Sequence, residues 1–274
     1  MDVAPRTALV GAFWSRLLII VAGLPAVLGL VWLGGWWLFA LAALVALVAL
    51  HEFYVMARPL RPVLLAGYAG SLGMLLGAEL GGLEWVLLGF LSTLPLAFLL
   101  KELADTRQSV TVAVAATVLG AGWVGAGISH ILLLRDISEH GRLAAFAVLL
   151  GVFAGDSAAY VVGGLVGRHK LAPVLSPGKT WEGFVAGVAA TIFVVWISVY
   201  RTGFVDGWRS LVLGGVVALA AAVGDLFESL LKRDAGVKDT GRLLAGHGGM
   251  LDRIDALLFA SVAAFYVILA FGEA

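Results

Sequence analysis

The feature that most limits how this chain can fold is a repeated run of apolar residues, each about as long as a membrane is thick. A spanning helix needs about 20 largely apolar residues. The 274-residue sequence is 61% hydrophobic and only 13% charged. A water-facing surface does not accommodate so many apolar side chains. The sequence therefore predicts an all-α integral membrane protein whose main solvent is lipid.

The apolar runs are separated by charges, glycine or proline, and they indicate a polytopic bundle of about nine transmembrane helices. We expect residues 1–274 to form a single membrane domain. Residues 1–142 have short loops and indicate a helical scaffold, whereas residues 143–274 combine helices with polar loops, where we expect the functional site. The first run continues into the second without a small-residue cleavage site, so it is interpreted as a retained span. The predicted helices cover residues 17–33, 36–56, 63–78, 84–100, 109–131, 143–167, 183–200, 210–231 and 254–272.

The basic residues are divided unevenly between the two sets of loops. With the N-terminus inside, four of the 18 lysines and arginines lie outside and the other fourteen lie on the cytoplasmic side. This bias predicts a cytoplasmic N-terminus, an external C-terminus and an odd number of spans. Acids and bases balance at 18 each, which argues against nucleic acid as a partner. The four external bases are Arg135, Arg142, Arg201 and Arg209.

Ionisable side chains inside predicted spans are costly, so each is a candidate for function. Asp156 lies in the middle of a predicted helix, where the alternative is a hydrogen bond that only packs helices. Asp225 shares a helical face with Ser229 and Lys232 through spacings of four and seven. Glu52 lies at a helix end and could belong to a site or reach the membrane interface by snorkelling.

The segment 175–183, Leu-Ser-Pro-Gly-Lys-Thr-Trp-Glu-Gly, is a second polar feature. Its Gly-Lys-Thr sequence is shared with P-loops, but Pro173 stands where that motif needs glycine and no strand is expected before it. We expect Thr180 to cap the next helix, and Lys179 with free backbone N–H groups to contact a phosphate. An ordinary capped helix start with one interfacial lysine is the alternative.

Polar residues are densest at 229–255, which holds five bases and four acids. Asp252 and Asp255 lie on one helical face and return acids into the membrane. Carboxylates with substrate phosphates are the usual ligands of Mg²⁺, and nearby bases suit a polyphosphate. His247 could exchange protons, donate to phosphate or simply form a turn, and Glu228 is expected to pair with a nearby base. The chain has no cysteine, which excludes thiolate ligands and cysteine nucleophiles.

Intramembrane acids are equally typical of an ion-coupled carrier. A carrier places such residues near the bilayer midplane, whereas these charges cluster at one predicted face. The distribution therefore favours an enzyme that handles a charged substrate at the cytoplasmic surface.

The stretch 229–255 resembles the hallmark of the phosphatidate cytidylyltransferases, also called CDP-diacylglycerol synthases. That hallmark reads S-x-hydrophobic-K-R-x4-K-D-x-G and then H-G-G-x2-D-R-x-D. Three further motifs of the family, G-D-x2-E-S, D-[ST]-x-A-Y and S-P-x-K-T-x-E-G, are matched by residues 224–229, 156–160 and 176–183. The D-x2-D-G-x2-A-R run of the CDP-alcohol phosphotransferases, an alternative membrane transferase, is absent.

The resemblance implies transfer of CMP from CTP to phosphatidic acid, which gives CDP-diacylglycerol and pyrophosphate in phospholipid biosynthesis. It further implies Mg²⁺ as cofactor with scope for a second cation, a homodimer, and a multi-pass protein of the inner cell membrane with a cytoplasmic active site. The expected metal ligands are Asp225 and Asp252. The expected catalytic residues are Asp225, Asp239, Asp252, Asp255, Lys232 and Lys238. The expected substrate-binding residues are Asp156, Ser176, Lys179, Ser229, Arg233, His247, Gly248, Gly249 and Arg253.

Overall fold

The computed structural model describes residues 23–104, 109–137, 139–173, 175–241 and 248–273. Besides a short 3₁₀ helix at Arg58–Leu60, nine helices lie in this described part of the chain, and eight of them are long and apolar enough to cross a membrane. Residues 17–22 of the first predicted helix and His247 fall outside it. The helices are α1 (Leu24–Leu33), α2 (Gly35–Met56), α3 (Leu64–Gly81), α4 (Leu83–Leu103), α5 (Val110–Asp136), α6 (Gly141–Val166), α7 (Trp181–Val199), α8 (Trp208–Asp234) and α9 (Leu251–Ala270).

The predicted all-helical membrane architecture is confirmed, whereas the number of spans and the orientation of the termini stay predictions. Two differences from the predicted elements bear on the polar residues. A two-stranded antiparallel hairpin, β1 (Lys170–Ala172) and β2 (Ser176–Thr180), connects α6 to α7. The hairpin was not predicted, because strands this short carry no readable alternation. Helix α9 begins at Leu251 rather than at residue 254, so Asp252 lies in its first turn.

Two ends of the bundle can be recognised from their polar contacts. At one end, Arg135 donates from Nε to the Val31 carbonyl (2.9 Å) and from a terminal nitrogen to the Trp32 carbonyl (3.1 Å). These bonds satisfy carbonyls at the C-terminus of α1. The opposite end holds the hairpin, the C-terminal ends of α2 and α8, and the start of α9. The polar residues singled out in the second half of the sequence collect there.

Helices α6 and α7 pack closely through small residues. Thr191 Oγ1 donates to the Gly151 carbonyl across the interface at 3.1 Å. A Cβ placed on Gly187 would lie 3.0 Å from the Gly155 carbonyl oxygen. Small residues are the usual means by which membrane helices approach each other. This contact fixes one wall of the polar end, next to the hairpin.

Gly224 brings the backbones of α8 and α9 together beside Asp225. A Cβ built on Gly224 would lie 2.6 Å from the Asp255 carbonyl oxygen and 3.2 Å from Ala256 Cα. No side chain larger than hydrogen fits without separating the helices. The contact therefore sets the distance between acidic residues on α8 and those on α9.

We predict that Gly224→Ala lowers the midpoint of thermal unfolding in detergent, because the added methyl group meets backbone atoms of α9. Overpacking of this kind typically costs about 1–3 kcal/mol. Gly215→Ala on the same helix is the matched control, since nothing lies within 4 Å of a Cβ at that position. Its midpoint should stay unchanged or rise, because alanine favours the helix. Equal midpoints for the two variants would contradict the close contact.

Candidate active site

Three carboxylates from α8 and α9 form an acidic cluster, which consists of Asp225, Glu228 and Asp255. One carboxylate oxygen from each lies within 4.8 Å of the other two. Glu228 is only 1% exposed and Asp255 7%. Glu228 Oε1 is buried and has no hydrogen-bond partner among the described residues. Oxygen ligands gathered in this way suit a hard divalent cation, which would also relieve their mutual repulsion.

Lys232 links the acidic cluster to Asp252. Its Nζ lies 2.6 Å from Glu228 Oε2, one helical turn away, and 2.8 Å from Asp252 Oδ1 on α9. The expectation that Glu228 pairs with a nearby base is confirmed. Lys232 thus neutralises part of the negative charge and joins the C-terminal end of α8 to the start of α9.

Asp252 organises the loop that precedes α9. Its Oδ2 accepts hydrogen bonds from the Gly249 amide (2.7 Å), the Thr240 amide (3.1 Å) and Thr240 Oγ1 (3.0 Å). Gly248 adopts a φ of +78°, a conformation that glycine takes without strain. Asp252 lies outside the acidic cluster and both of its oxygens accept hydrogen bonds, so its expected role as a metal ligand stays a prediction.

A cavity of about 480 Å³ opens next to the acidic cluster, between α6, α7, α8 and β2. A volume in this range is typical of small-molecule sites. Most of its lining is apolar or glycine, and the polar side chains that face it include Asp156, Ser176, Lys179 and Asp225. Lys179 Nζ lies 2.7 Å from Asp225 Oδ2. Asp225 therefore belongs to both the cavity and the cluster.

The hairpin is held in place by three contacts. Thr180 Oγ1 accepts from the Gly183 amide at 3.2 Å, which confirms the expected cap of α7. Glu182 in the first turn of α7 lies 2.7 Å from His169 Nδ1. Arg233 Nε donates to the Leu175 carbonyl at 3.1 Å and ties the hairpin turn to α8. Lys179 is thereby carried to the cavity on a braced strand.

The structure does not bring every expected site residue to the cluster. Lys238 and Asp239 are exposed on the segment after α8. Asp239 lines a second cavity of about 490 Å³ together with Arg58 and Thr240. Ser229 is buried one turn from Asp225, and Gly248 and Gly249 precede α9. Arg253 is exposed in the first turn of α9, and His247 lies outside the described residues.

Two residues make more contacts at the polar end of the bundle than the sequence suggested. Glu228 was expected only as a partner for a base, although its spacing of three from Asp225 already indicated a shared helical face. Glu52 does not snorkel: it is 6% exposed and accepts hydrogen bonds from the Met250 and Leu251 amides. No local sequence signal identifies those partners.

Comparison with known proteins identifies the family of this chain. Residues 14–271 match the profile of the Cytidylyltransferase family. Proteins named phosphatidate cytidylyltransferase from Mycobacterium bovis and Mycobacterium tuberculosis are each 36% identical to this chain over 256 residues. Each match covers 84% of this chain, and it covers 79% of the Mycobacterium bovis protein and 74% of the Mycobacterium tuberculosis protein. The protein of that name from Staphylococcus haemolyticus is 34% identical over 252 residues, covering 89% of this chain and 94% of its own. This chain belongs to the cytidylyltransferase family.

Proposed function

We propose that this protein is a phosphatidate cytidylyltransferase, which transfers CMP from CTP to phosphatidic acid and releases pyrophosphate. The observation that carries the proposal is the acidic cluster opening, through Asp225, onto a cavity that also presents Lys179. Carboxylates and a lysine at one cavity match the needs of a polyphosphate substrate. The names of the relatives support the same reaction.

In the proposed reaction, a phosphate oxygen of phosphatidic acid attacks the α-phosphorus of CTP. A new phosphorus–oxygen bond forms, the bond from the α-phosphorus to the oxygen bridging to the β-phosphate breaks, and pyrophosphate leaves with that oxygen. The nucleophile is already an anion, so no strong base is required. The protein must instead align two anionic reactants and offset their repulsion.

The donor set of the acidic cluster fits Mg²⁺, which takes carboxylate and phosphate oxygens. We propose that Asp225, Glu228 and Asp255 hold this cofactor, while Asp252 remains an additional predicted ligand. Bound Mg²⁺ would offset charge on the phosphates of CTP. Glu228 Oε1, which has no hydrogen-bond partner in the described part of the chain, supports this assignment, because a buried oxygen without a partner is costly.

Lys179 and Lys232 have different proposed tasks. Lys179 faces the cavity and lies against Asp225, so an incoming phosphate group would compete with Asp225 for it. Lys232 is held between Glu228 and Asp252, where it keeps the acids of α8 and α9 in register. Binding of triphosphate or lipid phosphate by Arg233, Lys238 and Arg253 stays a prediction, as does the homodimer.

The direct test is to incubate the purified protein with CTP, phosphatidic acid and Mg²⁺ and to measure CDP-diacylglycerol. We expect product from the wild type and a loss of at least about 100-fold in kcat for Asp255→Asn, as for other buried charge-stabilising groups. Asp234→Asn removes an exposed acid at the end of α8 and should be close to wild type. A wild type without product, or an active Asp255→Asn, would contradict the proposal.

Divalent cation binding can be measured without turnover. We expect Mn²⁺, used as a paramagnetic probe, to bind the wild type and to bind Glu228→Gln roughly tenfold or more weakly, since ligand-shell changes typically cost 10–100-fold. Glu102→Gln is the control, because it removes the same charge from an exposed position at the end of α4. Equal Mn²⁺ affinities for the two variants would remove Glu228 from the site.

We propose that the active site faces the cytoplasm of a cell membrane. The sequence has no cysteine, so single cysteines can be labelled without background. In intact spheroplasts, a membrane-impermeant maleimide should label Asp206→Cys, before α8, and leave Asp234→Cys unlabelled until the membrane is opened. Both positions are exposed at opposite ends of one helix. The reverse labelling pattern would place the site outside.

A further inference from the structure

Glu52 is a buried acid of the scaffold half whose partners lie at the other end of the sequence. Its Oε1 accepts from the Met250 amide at 3.0 Å. Its Oε2 accepts from the Leu251 amide at 2.8 Å and from Thr240 Oγ1 at 3.3 Å. Both oxygens are therefore engaged by groups some 188 to 199 residues away along the chain.

These partners include the start of α9. The first N–H groups of a helix have no acceptor within the helix, and the N-terminal end favours negative charge. Met250, the residue before α9, makes no side-chain cap. Glu52 satisfies these amides from α2, so it serves as a charged cap supplied by another helix. Hydrogen bonds to an ionised acceptor are stronger than neutral ones.

Two glycines pack directly against the Glu52 carboxylate. A Cβ added to Gly241 would collide with the Glu52 carboxylate, and one added to Gly249 would meet both that carboxylate and Thr240. Two segments of the loop before α9 thus pack against one side chain through glycines. This packing fixes the positions of Gly241 and Gly249 as well as that of the start of the helix.

A continuous chain of contacts leads from Glu52 to the acidic cluster. Thr240 Oγ1 lies 3.3 Å from Glu52 Oε2 and 3.0 Å from Asp252 Oδ2. Asp252 then binds Lys232, and Lys232 binds Glu228. If the start of α9 were displaced, Asp252 in its first turn would move with it, and so would Asp255 one turn further along the helix.

We propose that Glu52 is a positioning residue for cytidylyl transfer, which anchors the start of α9 so that Asp252 and Asp255 face α8 at the correct distance. This inference rests on the proposed function. It assigns the scaffold half a specific part in the reaction, although no scaffold residue belongs to the acidic cluster.

The anchor needs a carboxylate of this length. In Glu52→Gln one oxygen becomes an NH₂ group, which would direct a donor at the Met250 or Leu251 amide. In Glu52→Asp the side chain is one methylene shorter and does not reach both amides. Leaving buried donors unpaired is energetically unfavourable.

The experiment compares Glu52→Gln and Glu52→Asp with Glu102→Gln, the exposed control. We expect Glu52→Gln to lower kcat roughly 10–100-fold and to raise the half-saturating Mg²⁺ concentration, with little change in KM for phosphatidic acid. Glu52→Asp should fall between Glu52→Gln and the wild type. Hydrogen exchange at the Met250 and Leu251 amides should be faster in both Glu52 variants and unchanged in the control.

Two results would overturn the inference. One is a Glu52→Gln protein with wild-type kcat, Mg²⁺ dependence and amide exchange. The other is a loss of activity that matches only the fraction of unfolded protein, with unchanged constants in the folded fraction. If the wild type itself makes no product, the proposed function fails. Mn²⁺ affinity and amide exchange then decide the anchoring separately, and wild-type values in Glu52→Gln would reject it.

Discussion

The crowding of Asp225, Glu228 and Asp255 between two helices is the constraint on which the functional end of this protein depends. Two unit charges 4 Å apart repel by about 4 kcal/mol at an effective dielectric constant of 20. A fold that holds three carboxylates this close must supply positive charge or let some of them bind protons. Lys179 and Lys232 contact two members of the cluster, and its carboxylate oxygens are of the kind that bind hard divalent cations.

The cluster exists because backbone geometry allows it. Gly224 lets α8 and α9 touch beside Asp225, and Glu52 holds the start of α9 from a helix of the scaffold half. The hairpin brings Lys179 to the other side of Asp225. Packing of small residues, a distant charged cap and a braced strand thus each fix one side of the same site.

Much of this arrangement was predictable from sequence, because local patterns carry it. Apolar runs gave the spanning helices, and the Thr180 cap and the Glu228–Lys232 pair follow from spacings of three and four. The hairpin and the role of Glu52 were missed. Glu52 meets Met250 only after the chain has folded, across 198 residues, and no periodicity reports such a contact.

The sequence also could not predict that Asp252 lies outside the acidic cluster. Asp252 and Asp255 share a helical face, and the sequence favoured Asp252 as the metal ligand. In the structure α9 starts at Leu251, three residues earlier than predicted, and Asp252 in its first turn accepts from Gly249 and Thr240, whereas Asp255 joins the acidic cluster. Helix boundaries are the least certain part of a sequence-based assignment.

The most direct measurement is a structure of the protein with Mn²⁺ and CTP, in which anomalous scattering locates the metal. We predict a peak bonded to Asp225, Glu228 and Asp255, with the triphosphate beside Lys179 in the adjacent cavity. A peak at Asp239, or a nucleotide in the second cavity beside Arg58, would contradict this assignment of the site.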